Sequence, residues 1–227
     1  MIVYVDIEHD RLRRNVAEWE NLLARRLEVK YRLEEVSGHP CLLVRYHSVN
    51  PALLRTLDAR AVVVSGNATE WEHYAEEDLA GLRSIFRAAA WATLCFCGGC
   101  QALAQTFGAE LGPMGPLLPG DPEPPPELNV SPGMRQERGF MPVRFVESHP
   151  LFADLGPEAI VYQWHYWEAK AAPPGFRVLA ESSFCHVQAI VHEDGPLFGT
   201  QFHPEQYDDE HQDGRRILQN FFRLAGL

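Results

Sequence analysis

The strongest constraint on the fold of this chain is an alternation in its first half. Short, mostly apolar runs at residues 2–7, 41–46, 61–64 and 92–96 are separated by stretches whose apolar residues recur every three or four positions. A run with almost no polar position has no face to offer water, so it suits a strand covered on both sides in a parallel sheet. The spacing of Leu12, Val16, Trp19, Leu23 and Leu27, and that of Leu79, Leu82, Phe86 and Ala89, predicts amphipathic helices that each bury one stripe. Strand and helix in regular succession point to a doubly wound α/β sheet, mainly parallel, with helices on both faces. Further strands are expected at residues 141–146, 159–162, 187–192 and 198–202 and read as mostly antiparallel additions. A last helix at about 214–225 places Ile217, Phe221 and Leu224 on one face.

Between the two halves, residues 112–139 carry eight prolines (Pro113, Pro116, Pro119, Pro122, Pro124, Pro125, Pro126 and Pro132), which rule out regular structure through most of the segment. It reads as a surface loop or as a lid over a site. At 227 residues the chain is expected to form a single domain, 1–227, with this loop inside it. A net charge of −11 and the absence of any basic run argue against a nucleic-acid partner. The N-terminus lacks the pattern of a signal peptide, and no apolar stretch has membrane-spanning length, so no membrane partner is expected. Five cysteines, three of them within six residues, do not form a disulfide framework and fit a reducing cytoplasm.

Two short segments carry chemistry. In Cys95-Phe96-Cys97-Gly98-Gly99-Cys100-Gln101 an apolar strand stops at a thiol and turns through two glycines into a helix. A thiol at that turn lies at the carboxyl edge of the sheet, beside the positive end of a helix dipole, which favours the thiolate. The N–H of Gly98 can then point at a developing oxyanion. In Gly199-Thr200-Gln201-Phe202-His203-Pro204-Glu205 an imidazole is followed two residues later by a carboxylate able to orient it. Cys97, His203 and Glu205 together are the parts of a thiol-based acyl-transfer site. A metal centre is the competing use of the same residues: Cys95, Cys97 and Cys100, with Cys185-His186 downstream, supply enough ligands for zinc or a cluster. The C-x-C-x2-C spacing at a strand end is not a usual zinc-knuckle pattern, and neither a metal nor another cofactor is expected. His165 stands among Trp164, Tyr166 and Trp167, a candidate aromatic pocket wall.

These segments resemble the class I (triad) glutamine amidotransferases, whose nucleophile motif is commonly G-[IV]-C-[LYF]-G-H-Q and whose second motif is G-V-Q-F-H-P-E. Val64-Ser65-Gly66-Asn67 resembles the family's oxyanion segment, Glu137-Arg138-Gly139 a mid-domain E-x-G, and Gln163-Trp164-His165 the segment before an H-G-D. Ser148-His149-Pro150-Leu151-Phe152 matches an H-P-L-F turn. The resemblance implies a flavodoxin-like fold, Cys97 as nucleophile, His203 as general base and acid, and Glu205 as its orienting partner. It implies an oxyanion hole from the N–H groups of Asn67 and Gly98, and a substrate site drawing on Gly66, Gln101 and the Gln163, Trp164 and His165 stretch. The implied reaction releases ammonia or an amine from glutamine or a γ-glutamyl compound through a γ-glutamyl thioester. Since no P-loop is visible, any ammonia acceptor would belong to a separate synthase subunit; the other branch is a free-standing γ-glutamyl hydrolase. The departures from the motifs are Cys95 for Gly, Gly98 for a bulky residue, Cys100 for His, Asn67 for Gly and Tyr166-Trp167 for Gly-Asp.

Overall fold

The computed structural model describes residues 1–126 and 129–227. Its centre is a nine-stranded mixed sheet. Strands β1 (Ile2–Asp6), β2 (Cys41–Arg45), β3 (Ala61–Val64), β4 (Ala92–Phe96) and β11 (Leu197–Thr200) run parallel in the order β2-β1-β3-β4-β11. That is the flavodoxin-like 2-1-3-4-5 order, whose switch point lies beside β1. The remaining strands, β10 (Ala189–His192), β9 (Phe176–Glu181), β6 (Glu137–Phe145) and β7 (Glu158–His165), extend the sheet beyond β11 in antiparallel pairing. Short β5 (Leu111–Pro113) and β8 (Trp167–Ala169) form a separate antiparallel pair.

The helices are α1 (Val16–Ser37), α2 (Pro51–Thr56), α3 (Glu76–Ala88), α4 (Gly98–Thr106) and α5 (Asp213–Leu224). The parallel strands separate two apolar layers. One holds Tyr4, Leu33, Phe96, Phe202 and Phe221, and the other Val5, Leu82, Phe86, Leu103 and Ile190. Alternate residues of each strand feed opposite layers, which is why these runs read as apolar throughout. No helix among the described residues is long and apolar enough to cross a membrane.

Several sequence expectations are corrected. Residues 10–14 form a 3₁₀ turn, and α1 runs on to Ser37 with Arg26, Val29 and Leu33 as its buried face. Val16, Leu23 and Leu27, read from spacing as the inward stripe, are 65%, 37% and 45% exposed. The rotation follows from Arg26, which turns inward to the buried Asp6. In α5, Ile217 and Phe221 are buried but Leu224 is exposed, with Leu218 and Phe222 completing the inner face. Strands β6 and β7 are longer than expected, and β8 and β9 form where the sequence pattern predicts no strand. The Pro-rich segment is irregular over most of its described length, apart from β5, the start of β6 and a bridge between Pro116 and Met134.

Candidate active site

The parallel strands deliver their chain ends to one edge of the sheet: Asp6 and Glu8 from β1, Ser65 to Asn67 from β3, Cys97 from β4, and Gln201 to Glu205 from β11. Cys97 caps the N-terminus of α4 with φ 46° and ψ −110°. A non-glycine residue in that region costs about 1–3 kcal/mol and persists only where its surroundings over-determine it. Here Cys97 donates its N–H to the Thr200 carbonyl (2.7 Å), and its own carbonyl accepts from Gln101 N–H (3.0 Å). The strained residue of the turn is thus the cysteine. The glycines after it answer a different need, close approach. A Cβ on Gly99 would lie 2.8 Å from the carbonyl oxygens of both Val64 and Ser65.

The three groups expected to act together do meet. Nδ1 of His203 lies 2.7 Å from Oε1 of Glu205, a carboxylate only 3% exposed. The other ring nitrogen, Nε2, is buried without a hydrogen-bond partner of its own. Gly66 marks how near the thiol is: a Cβ there would be 3.1 Å from Cε1 of His203 and 3.7 Å from the Cys97 sulfur. Burial alone would lower the basicity of His203, but the charges of Glu205 and Cys97 outweigh it and push its pKa up to about 10. The imidazolium is therefore the favoured form beside the sulfur. The sulfur also accepts from Nε2 of Gln201 (3.6 Å) and lies 3.8 Å from the Trp164 carbonyl. The backbone of His203 is pinned to the antiparallel extension, its N–H donating to the Tyr162 carbonyl (2.8 Å).

Opposite the thiol, the loop after β3 is held from behind by charge. The Gly66 carbonyl accepts from Nη2 of Arg26 (2.8 Å) and from the Ser65 hydroxyl (2.8 Å). With the carbonyl of that planar trans peptide turned away, the Asn67 N–H points to the opposite side. Arg26 is in turn fixed by Asp6 (2.9 Å), which also pairs with Arg45. The Glu8 carboxylate accepts from Ala68 N–H (2.6 Å), Thr69 N–H (3.2 Å) and the Thr69 hydroxyl (2.7 Å). The first-turn N–H of Gly98, like those at any helix start, has no intrahelical partner. Sequence reading missed this supporting set. The sequence carries a signal for it: two acids closing an apolar strand need charged or N–H partners, and the helix that follows can supply an arginine from its inner face.

A cavity of about 260 Å³ opens on Cys97 and Gly98 and is walled by Trp71, Trp164, Tyr166 and Trp167, with Arg138 and Gln101 among its polar residues. Val130, from the Pro-rich segment, closes part of it. Of the residues expected to meet substrate, Gln101, Trp164 and His165 line this cavity. The Gln101 amide is engaged by Trp71 Nε1 (2.9 Å), the Trp167 carbonyl (3.0 Å) and Gln201 (3.1 Å). His165 faces Glu137 (3.0 Å) and the Trp167 carbonyl (3.1 Å), so the glutamate of the E-x-G segment braces the aromatic wall. The Gln163 side chain turns away from the cavity into the core, where it donates to Gln188 (3.0 Å). Gly66 lies close against the thiol and the imidazole, outside the cavity lining.

The other cysteines do not join the site as ligands. Cys95 and Cys100 sit in one apolar layer, where burial pushes both thiols up and keeps them protonated; Cys185 is likewise buried and raised. Among the described residues, no three histidine, cysteine or acidic side chains gather as a metal site would require.

The family model for class-I glutamine amidotransferases matches residues 28–225. This chain belongs to that family. Curated relatives include a glutamine-hydrolysing GMP synthase subunit from Pyrococcus abyssi, 33% identical over 133 residues, or 59% of this chain and 60% of the relative. The corresponding subunit from Archaeoglobus fulgidus is 35% identical over 129 residues, or 57% of this chain and 59% of the relative. The matched segments thus span about three fifths of these relatives. Among solved structures, a candidate GMP synthase subunit from Thermoplasma acidophilum superposes with a TM-score of 0.72 at 23% identity, covering 100% of this chain and 94% of that one. A glutamine amidotransferase from Methylobacillus flagellatus superposes with a TM-score of 0.62 at 18% identity, over 91% of this chain and 70% of that one. At these identities the likeness speaks for the fold, and both agree with the flavodoxin-like sheet described above.

Proposed function

We propose that this amidotransferase hydrolyses the side-chain amide of glutamine through a γ-glutamyl thioester on Cys97. The observation that carries the reading is the thiol of Cys97, which lines a small cavity and lies beside the His203–Glu205 pair. A cavity of about 260 Å³ falls below the range for drug-sized ligands and suits a molecule of amino-acid size.

In this mechanism the Cys97 thiolate attacks the carboxamide carbon, and the carbonyl oxygen becomes an oxyanion held by the N–H groups of Asn67 and Gly98. The C–N bond breaks as His203, protonated at Nε2, gives its proton to the departing ammonia. Water then attacks the thioester while the now neutral His203 takes its proton. The C–S bond breaks, glutamate leaves and the thiolate–imidazolium pair returns. Glu205 keeps Nε2 turned toward the sulfur throughout. Gln101 acts through the Trp71–Gln201 network that shapes the cavity, and backbone near Trp164 and His165 receives the α-amino end of the substrate.

The curated relatives are named as one subunit of a GMP synthase, which supports a separate synthase chain as acceptor of the ammonia. Purified protein incubated with glutamine is expected to release glutamate and ammonia in equal amounts, and Cys97→Ala is expected to release neither. Parallel assays with γ-glutamyl amines read whether an amine can replace ammonia as leaving group. Turnover of glutamine by Cys97→Ala would remove the nucleophile assignment.

A further inference from the structure

Arg138 is a buried cation inside the cavity, and no carboxylate among the described residues balances it. It is 8% exposed, and no acidic group among the described residues lies within ion-pair reach of it. On β6 it stands directly across from Trp164 on β7, and its guanidinium lies 4.4 Å over that indole. Its Nε donates to Oε1 of Gln136 (3.1 Å). Gln136 is itself fixed, donating to Asn129 (2.6 Å) and to the Ser131 carbonyl (3.0 Å). One face of the guanidinium and one nitrogen are thereby occupied. Nη1 is buried and finds no hydrogen-bond partner among the described residues.

Arg138 and Trp164 line the same cavity as Cys97 and Gly98. Burial lowers the pKa of Arg138, the opposing effect coming first from the charge of Cys97, so the two groups face one pocket electrostatically as well as spatially. An unpaired buried cation is costly to a fold unless something else completes it. A guanidinium stacked on an aromatic ring, with a free N–H edge in a cavity, is the arrangement that takes a carboxylate.

We infer that Arg138 is a specificity-determining residue that binds a carboxylate of the substrate through Nη1, with Trp164 as its platform. The inference rests on the hydrolase reading above and adds the group that recognises the substrate's charge. That carboxylate has two possible sources: the α-carboxylate of the glutamyl part, or an acid on the leaving amine.

The test compares the wild-type protein with Arg138→Met and Arg138→Lys on four substrates: glutamine, its α-carboxamide, γ-glutamylglycine and γ-glutamylmethylamide. If the α-carboxylate is the partner, Arg138→Met lowers kcat/KM about 10- to 100-fold, mainly through KM, for the three substrates that carry it, and leaves the α-carboxamide unchanged; this is the range of a hydrogen bond to a charged group. If an acid on the leaving group is the partner, only γ-glutamylglycine loses that factor. Arg138→Lys is expected to fall between wild type and Arg138→Met, and it carries the test if the Met variant does not fold. An equal loss on all four substrates, or a loss confined to kcat, overturns the inference. Calorimetric titration of L-glutamate and its α-amide into Cys97→Ala, with and without Arg138→Met, reads the carboxylate site without turnover. If the wild type hydrolyses none of the four, the hydrolase reading fails while this titration still decides the role of Arg138.

Discussion

The side chain of Asn67 fills the space that a side chain at position 98 would need: its Oδ1 lies 1.7 Å from where a Cβ on Gly98 would be. The motifs of the family commonly place a bulky residue after the nucleophile and a glycine in the oxyanion segment. In this chain large and small are exchanged between the two positions, and the two departures compensate in one volume. Asn67 is anchored there by Nδ2, which donates to the Thr69 carbonyl (2.6 Å).

Gly98→Ala is therefore expected to displace Asn67 and with it the N–H proposed to hold the oxyanion. We expect kcat to fall about 100-fold, the scale of losing one oxyanion donor. The double variant Asn67→Gly with Gly98→Ala removes the clash and is expected to recover most of the loss. Steady-state kinetics on the three proteins check this, and a double variant as slow as Gly98→Ala would contradict the exchange.

Arg26 touches neither the thiol nor the cavity, yet it holds the Gly66 carbonyl and so the direction of the Asn67 N–H. Arg26→Met is expected to lower kcat by about 10- to 100-fold with KM little changed, because a displacement near 1 Å can cost about two orders of magnitude. It also strands part of the Asp6 charge, so a stability loss of about 3 kcal/mol is expected in denaturant titration. An unchanged kcat in folded protein would show that the loop holds itself.

The raised pKa of His203, about 10, sets the alkaline side of the reaction. Below it the imidazolium can protonate departing ammonia; above it that proton is lost, so kcat/KM is expected to fall as pH rises through this region. Glu205→Gln removes the carboxylate charge that favours the imidazolium, and the alkaline limb is expected to move to lower pH. A pH–rate profile whose alkaline limb stays in place in Glu205→Gln would assign it to another group.

Gly81, which is not among the cavity's lining residues, lies within α3, where alanine is normally better than glycine by about 1 kcal/mol. Here a Cβ would lie 2.1 Å from the Val49 carbonyl oxygen. Gly81→Ala is thus expected to destabilise the fold by about 1–3 kcal/mol, measured as a lower midpoint of denaturation, with kcat of the folded enzyme unchanged.

Residues acting within one strand or one turn are legible in the sequence. The apolar runs at β1, β3 and β4 are covered on both faces, so their composition alone marks them as interior strands. Cys97 and His203-Pro204-Glu205 sit at strand ends, so their local motifs carry their placement. The α1 stripe misled because periodicity identifies a helix but not which face wins when a buried acid competes for one of its cations. Strand β9 was missed because its sequence, Phe176 to Glu181, mixes charged with apolar residues, and its place between β10 and β6 depends on pairing with strands distant in sequence.

The sequence by itself determined the sheet class, the thiol at its edge and the imidazole–carboxylate pair, because each follows from side-chain type and local spacing. Tertiary structure alone decided that Arg26 grips the loop after β3, that Asn67 and Gly98 share one volume, and that Arg138 stands over Trp164 with no ion-pair partner among the described residues. Those relationships join strands and helices far apart along the chain, and only packing brings their charges and volumes within ångströms of one another.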